Sequence, residues 1–278
     1  MLFHTLLKPF SRCQSTPVGS LSFNTLLIVT LSLVSINTYA EDLSSPPPVS
    51  SQEQTSSTAQ SQPSSQLKDV APFVAEYDLS TSSMFISGDG QRSLKHLGNG
   101  RYRMEQTAQS FLMTRREISE FTMKHCQIKP KSYRYEQSGV GSDKRHLIDF
   151  DIPKSHAIYE EKKQRTQIDI PKGMLPLDRL SETLALQCQL QSGAQEITLN
   201  LIDKDQLRQH KFKVVGQETI QVASSKVKVL KVERIRDDDN RRTTLWFAPQ
   251  QNFQLMKMEQ ENDGKSITLE LESIRQIF

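Results

Sequence analysis

From Phe73 to Leu271, apolar side chains recur at every second position, and this spacing constrains the fold more than any other feature of the 278-residue chain. A period of two places alternate side chains on one face of a β-strand. Phe73, Ala75 and Tyr77 set the pattern; Leu147 and Asp149 oppose Ile148 and Phe150. It returns at Ile197, Leu199 and Leu201, at Phe212 and Val214, and at Ile267, Leu269 and Leu271. Turn-forming residues separate these runs: Gly98 to Gly100, Gly139 to Asp143, Asp237 to Asn240, and Asn262 to Gly264. Strand, tight turn and strand in succession predict an antiparallel meander.

Two runs depart from simple alternation. In Lys226 to Arg236, Val227 and Val229 share one face while Leu230 and Val232 share the other, which predicts a bulge or strong coiling. In Thr243 to Ala248, Leu245 and Phe247 point opposite to Trp246, which predicts a strand covered on both faces. One segment has helical spacing instead. Leu177, Leu180, Leu184 and Cys188 fall on one side of a 3.6-residue period, with Pro176 suited to a start and Gly193 to a stop. The expected fold is therefore all-β and mainly antiparallel, a strongly curved meander sheet or half-barrel with one amphipathic helix packed on it.

The N-terminal region reads as a signal peptide over residues 1–40. Lys8 and Arg12 precede an apolar stretch from Leu26 to Val34, too short for a span that needs about 20 residues, and Thr38, Tyr39 and Ala40 precede a polar tract. Cleavage is expected between Ala40 and Glu41, delivering a periplasmic protein with no integral membrane segment. Residues 41–70, rich in Ser, Pro and Gln, read as a disordered linker, because they have too little apolar surface to offset the entropy of ordering. Residues 71–278 form the β-rich domain. After cleavage, 33 basic residues face 32 acidic ones, a net balance that gives no overall field to concentrate nucleic acid or an anionic membrane at the surface. The basic pairs Arg115–Arg116, Lys162–Lys163 and Arg241–Arg242 read as solvated strand faces or hairpin ends. Cys126 and Cys188 are then the only cysteines, and an even pair in an oxidising compartment predicts a disulfide that staples helix to sheet.

Four blocks carry a resemblance: PFVAEYDLS from Pro72, GRYRMEQTA from Gly100, YRYEQSGVGSDKR from Tyr133, and VERIRDDDNRRTTLWFAP from Val232 to Pro249. Together they resemble the bacterial family designated domain of unknown function 3108 over nearly all of residues 72–273. The resemblance implies an exported β-rich protein and supplies no catalytic residues.

No catalytic constellation is found, and no metal site or cofactor is expected. His96, His125, His146, His156 and His210 show no ligand-pair spacing; Asp237 to Asp239 lack the glycine and distant glutamate of a calcium loop; no G-x-S-x-G elbow occurs. Two readings remain. In one, the curved sheet binds an apolar or lipid-like ligand against Phe111, Leu112, Met113, Trp246, Phe247, Met256 and Met258. In the other, the domain is a cell-envelope interaction or assembly protein without a small-molecule ligand, and those residues are covered by a partner or by the chain's own helix. The oligomeric state is open.

Overall fold

A computed structural model describes residues 67–82, 87–140, 143–236 and 240–277. The expected signal segment with Ala40 and Glu41, the expected linker up to residue 66 and the acidic run Asp237 to Asp239 lie outside the described residues.

The first run of strands is β1 (Phe73–Thr81), β2 (Ser87–His96), β3 (Arg101–Ser110), β4 (Met113–Lys124), β5 (Gln127–Gly139), β6 (Lys144–Asp151), β7 (His156–Glu161) and β8 (Gln164–Asp169). Helix α1 (Ser181–Gln191) follows. The second run is β9 (Glu196–Asp203), β10 (Gln206–Val222), β11 (Ser225–Ile235), β12 (Arg241–Ala248), β13 (Gln254–Asn262) and β14 (Lys265–Gln276). All are antiparallel to their neighbours in one sheet, ordered 8-7-6-5-4-3-2-1-14-13-12-11-10-9.

This order has one consequence that shapes the rest of the molecule. The first and last strands pair at the centre, with Tyr77 opposite Leu271 and Leu79 opposite Leu269. The two edges, β8 and β9, are therefore consecutive in the chain, so the sheet is a meander ring opened at a single point. Residues 170–195, with α1, run from one edge to the other. The β9 edge is partly covered, because Leu177 pairs in parallel with Leu201 and exchanges backbone hydrogen bonds with Asn200 and Ile202, each 2.8 Å.

Helix α1 ties the two wings together. Arg92 of β2 donates to Thr183 at 2.5 Å and Ser119 of β4 donates to Asp178 at 2.6 Å. From the other wing, His210 of β10 meets Glu182 at 2.5 Å, and Gln187 donates to the Asn252 carbonyl before β13 at 2.8 Å. Cys188 is bonded to Cys126 in the β4–β5 turn, as the pairing of the two cysteines predicted. Because it is enclosed from both wings, α1 is buried beyond the expected Leu184–Cys188 stripe: Ala185, Leu186, Gln187 and Leu190 are buried too. The helix starts at Ser181, later than Pro176, since Leu177 is used by the bridge to β9 and Asp178 accepts the N–H groups of Leu180 and Ser181. It stops at the expected place, with Gly193 at a φ of 82°.

The expected irregularity beside Val232 is present, but the extra residue sits on the partner strand. Val214 of β10 faces Val232 and Gly216 faces Lys231, so Val215 is bulged out of the ladder. Strand β12 is buried from Thr243 through Ala248, on both faces as expected.

Candidate functional site

The inner face of the first wing changes character from one cross-strand row to the next. Leu94, Met104, Ser119, Tyr133, Ile148 and Tyr159 form a buried, mostly apolar row. Two residues along each strand, the next row reads Arg92, Gln106, Glu117, Tyr135, His146 and Glu161. The polar row lies toward the rim that carries the β3–β4, β5–β6 and β13–β14 turns. Here the wings and the first turn of α1 enclose a cavity of about 560 Å3.

Its walls are rich in charge: nine lining side chains are arginine or lysine and five are carboxylates, an excess of four cations. Some charge is neutralised internally. Glu117 is 3% exposed; burial alone would raise its pKa, but an ion pair with Arg115 and a hydrogen bond from the Tyr133 hydroxyl outweigh this and hold it below the usual carboxylate value. Burial, and after it the Glu117 carboxylate, raises the Tyr133 hydroxyl well above its ordinary value. Glu182 is held by His210, and Asp203 faces Arg179 at 3.7 Å.

The remaining donors are not consumed in this way. Arg92 is 4% exposed; one terminal nitrogen bonds Thr183, while its Nε has no hydrogen-bond partner. Burial lowers its pKa, opposed by Tyr77 and Glu117. His210 is also 4% exposed, and its Nε2 is buried without a partner. Arg234 has an unpartnered buried Nε, and burial followed by the adjacent charge of Arg236 lowers its pKa to about 10. Buried, incompletely satisfied guanidinium groups are costly, and an oxyanion accepting from them would recover that cost.

The candidate residues named from the sequence are distributed over three places. Trp246, Phe247 and Met256 are core, at 8%, 0% and 0% exposure. Trp246 donates to Glu218 and lies beneath Lys231 and Lys257, whose ammonium groups are 5.9 and 5.4 Å from the ring centre. Met258 lines the cavity. Phe111, Leu112 and Met113 form the β3–β4 hairpin tip and its start into β4. The cavity arginines were not read as a site from the sequence. Arg115, taken there as solvated, is instead paired to the buried Glu117, and Arg241 and Arg242 line the cavity wall. A signal for them exists: Arg92 is in phase with Leu94, and Arg234 is in phase with Val232, so both point where the core points. Among the described residues, no group of three His, Cys, Asp or Glu is placed to hold a metal ion, and no helix is long and apolar enough to cross a membrane.

An open antiparallel half-barrel with an internal helix defines the class. The family model "Protein of unknown function (DUF3108)" matches residues 81–272, and the chain belongs to that family. Among solved structures, the chain is similar to a beta-barrel-like protein of domain of unknown function DUF1849 from Brucella abortus. The TM-score is 0.53 at 12% identity, covering 76% of this chain and 99% of that one, which shows a shared fold. Curated proteins provide no match.

Proposed function

We propose that this is an exported binding protein that holds an oxyanionic ligand, a phosphate- or carboxylate-bearing molecule, in the cavity between its wings. The observation that carries the reading is the pair of buried, unpartnered guanidinium nitrogens at Arg92 Nε and Arg234 Nε in a cavity with a cation excess. Export is supported by the leader-like segment before Ala40. A lipid-like ligand fits in one form only: its acidic head would meet the arginines, and the apolar part would lie against Met258 and Leu245. A binding role is favoured over a catalytic one because the site's buried acid and base groups are committed to one another, Glu117 to Arg115 and Glu182 to His210.

Native mass spectrometry of protein released gently from the envelope tests this reading. A co-purifying acidic small molecule, lost in an Arg92→Met, Arg234→Met double variant that keeps the wild-type circular dichroism, is the expected result. A bare polypeptide mass in both proteins argues for the envelope-assembly reading.

A further inference from the structure

The two most exposed large apolar side chains among the described residues stand together on the rim, with a third beside them. Phe111 is 82% exposed, Val140 76% and Met113 40%. They belong to two hairpin tips, β3–β4 and β5–β6, which are locked side by side: the Val140 N–H donates to the Leu112 carbonyl at 2.9 Å, and Met113 pairs with Gly139. The lock requires glycine. At φ 129°, a Cβ on Gly139 would stand 2.2 Å from the Leu112 carbonyl oxygen and 2.8 Å from the Met113 Cα. The tips are thus a built protrusion with apolar side chains at its end, where an aqueous surface would favour polar ones.

Directly beneath the tips, a groove of about 750 Å3 is lined by Arg116, Arg134, Lys144, Arg145 and Lys162 against Glu136, Asp143 and Glu160. Two of these carboxylates have cationic partners, Glu136 with Arg145 at 3.5 Å and Glu160 with Arg165 at 3.1 Å. Arg134, Lys144 and Lys162 have no ion pair among the described residues. An apolar wedge above a basic collar is the arrangement that an anionic lipid surface rewards twice, once for buried apolar area and once for charge. Three apolar side chains on a tip also offer far less than the roughly 800 Å2 per partner of a stable protein interface.

We propose that the paired hairpin tips around Phe111 and Val140 dock this protein onto an anionic lipid bilayer, with the basic groove facing the headgroups. The docking does not depend on what occupies the cavity. The full chain, expressed with its own leader and purified as the cell processes it, is sedimented with vesicles of zwitterionic phosphatidylcholine alone or mixed with phosphatidylglycerol. Binding to the mixed vesicles only, weakened about tenfold by Phe111→Asp and similarly by the pair Lys144→Glu and Arg145→Glu, is the expected result. Both sets of changes are at exposed positions, so unaltered thermal midpoints are expected and separate lost docking from lost folding. Equal sedimentation of wild type and Phe111→Asp, or no sedimentation of either, overturns the proposal. A Phe111-dependent dimer in sedimentation velocity without lipid also overturns it, by making a second copy the occupant. An Arg92→Met, Arg234→Met variant that still binds vesicles separates failure of the cavity reading from failure of this one.

Discussion

Ser119 donates a 2.6 Å hydrogen bond to the Asp178 carboxylate, whose other oxygen accepts the N–H groups of Leu180 and Ser181 at 2.9 Å each. One buried side chain thus starts the helix and fastens it to β4. Burial raises its pKa from 3.8 to about 6, although each of these hydrogen bonds lowers it. An acid whose folded pKa lies above its unfolded value binds more protons when folded, so its contribution to stability falls as pH rises from about 4 to about 6. Above that window the ionised form costs about 3 kcal/mol. Asp178→Asn keeps an acceptor for both N–H groups and removes the charge. Denaturation across pH 4 to 7 should show the variant gaining on wild type as pH rises through the window, and a difference independent of pH would contradict the assignment.

The Cys126–Cys188 bond closes a loop of 62 residues, and by chain entropy a closure of that length stabilises by about 4 kcal/mol. Cys126 sits with His125 in a two-residue turn where both have positive φ, 62° and 50°, so the bond also holds a turn that non-glycine residues adopt reluctantly. Reduction should lower the urea midpoint markedly. A Cys126→Ser, Cys188→Ser variant with the wild-type midpoint would remove the bond from the stability account.

Trp246 lies under Lys231 and Lys257 and bonds Glu218, and it does not line the cavity. Its emission should be blue-shifted, poorly quenched by acrylamide, and unchanged when an anion fills the site. A ligand-dependent emission change would place binding elsewhere.

Period-two alternation announced the meander because one face of most strands packs inward, and the helix was visible because the steps of three and four through Leu177, Leu180, Leu184 and Cys188 follow a 3.6-residue period instead. The β1–β14 seam was not legible: pairing between Tyr77 and Leu271 depends on chain closure, which no local pattern encodes. The position of the bulge at Val215 was not legible for a related reason, since a phase flip in Val229 to Val232 looks the same whichever partner carries the extra residue. The cavity escaped because Arg92 and Arg234 occupy core-facing positions where apolar residues are expected, and the search for chemistry looked to histidines, serines and carboxylates. Phe111 and Trp246 had equal claims as sequence; only burial separates a hairpin tip from a packed core.

For the export proposal, the N-terminal residue of the protein recovered from the envelope should be Glu41. Intact-mass measurement decides it, and a chain retaining Leu26 to Val34 would contradict cleavage.

The central claim is that the cavity binds an oxyanion through Arg92 and Arg234. Isothermal titration with inorganic phosphate at low ionic strength tests it most directly, with wild type beside Arg234→Met, a partly exposed position where folding should survive. Saturable binding to wild type, weakened by added salt and by about tenfold or more in Arg234→Met, is the predicted result. Absence of binding to wild type, or equal binding to both, would contradict it.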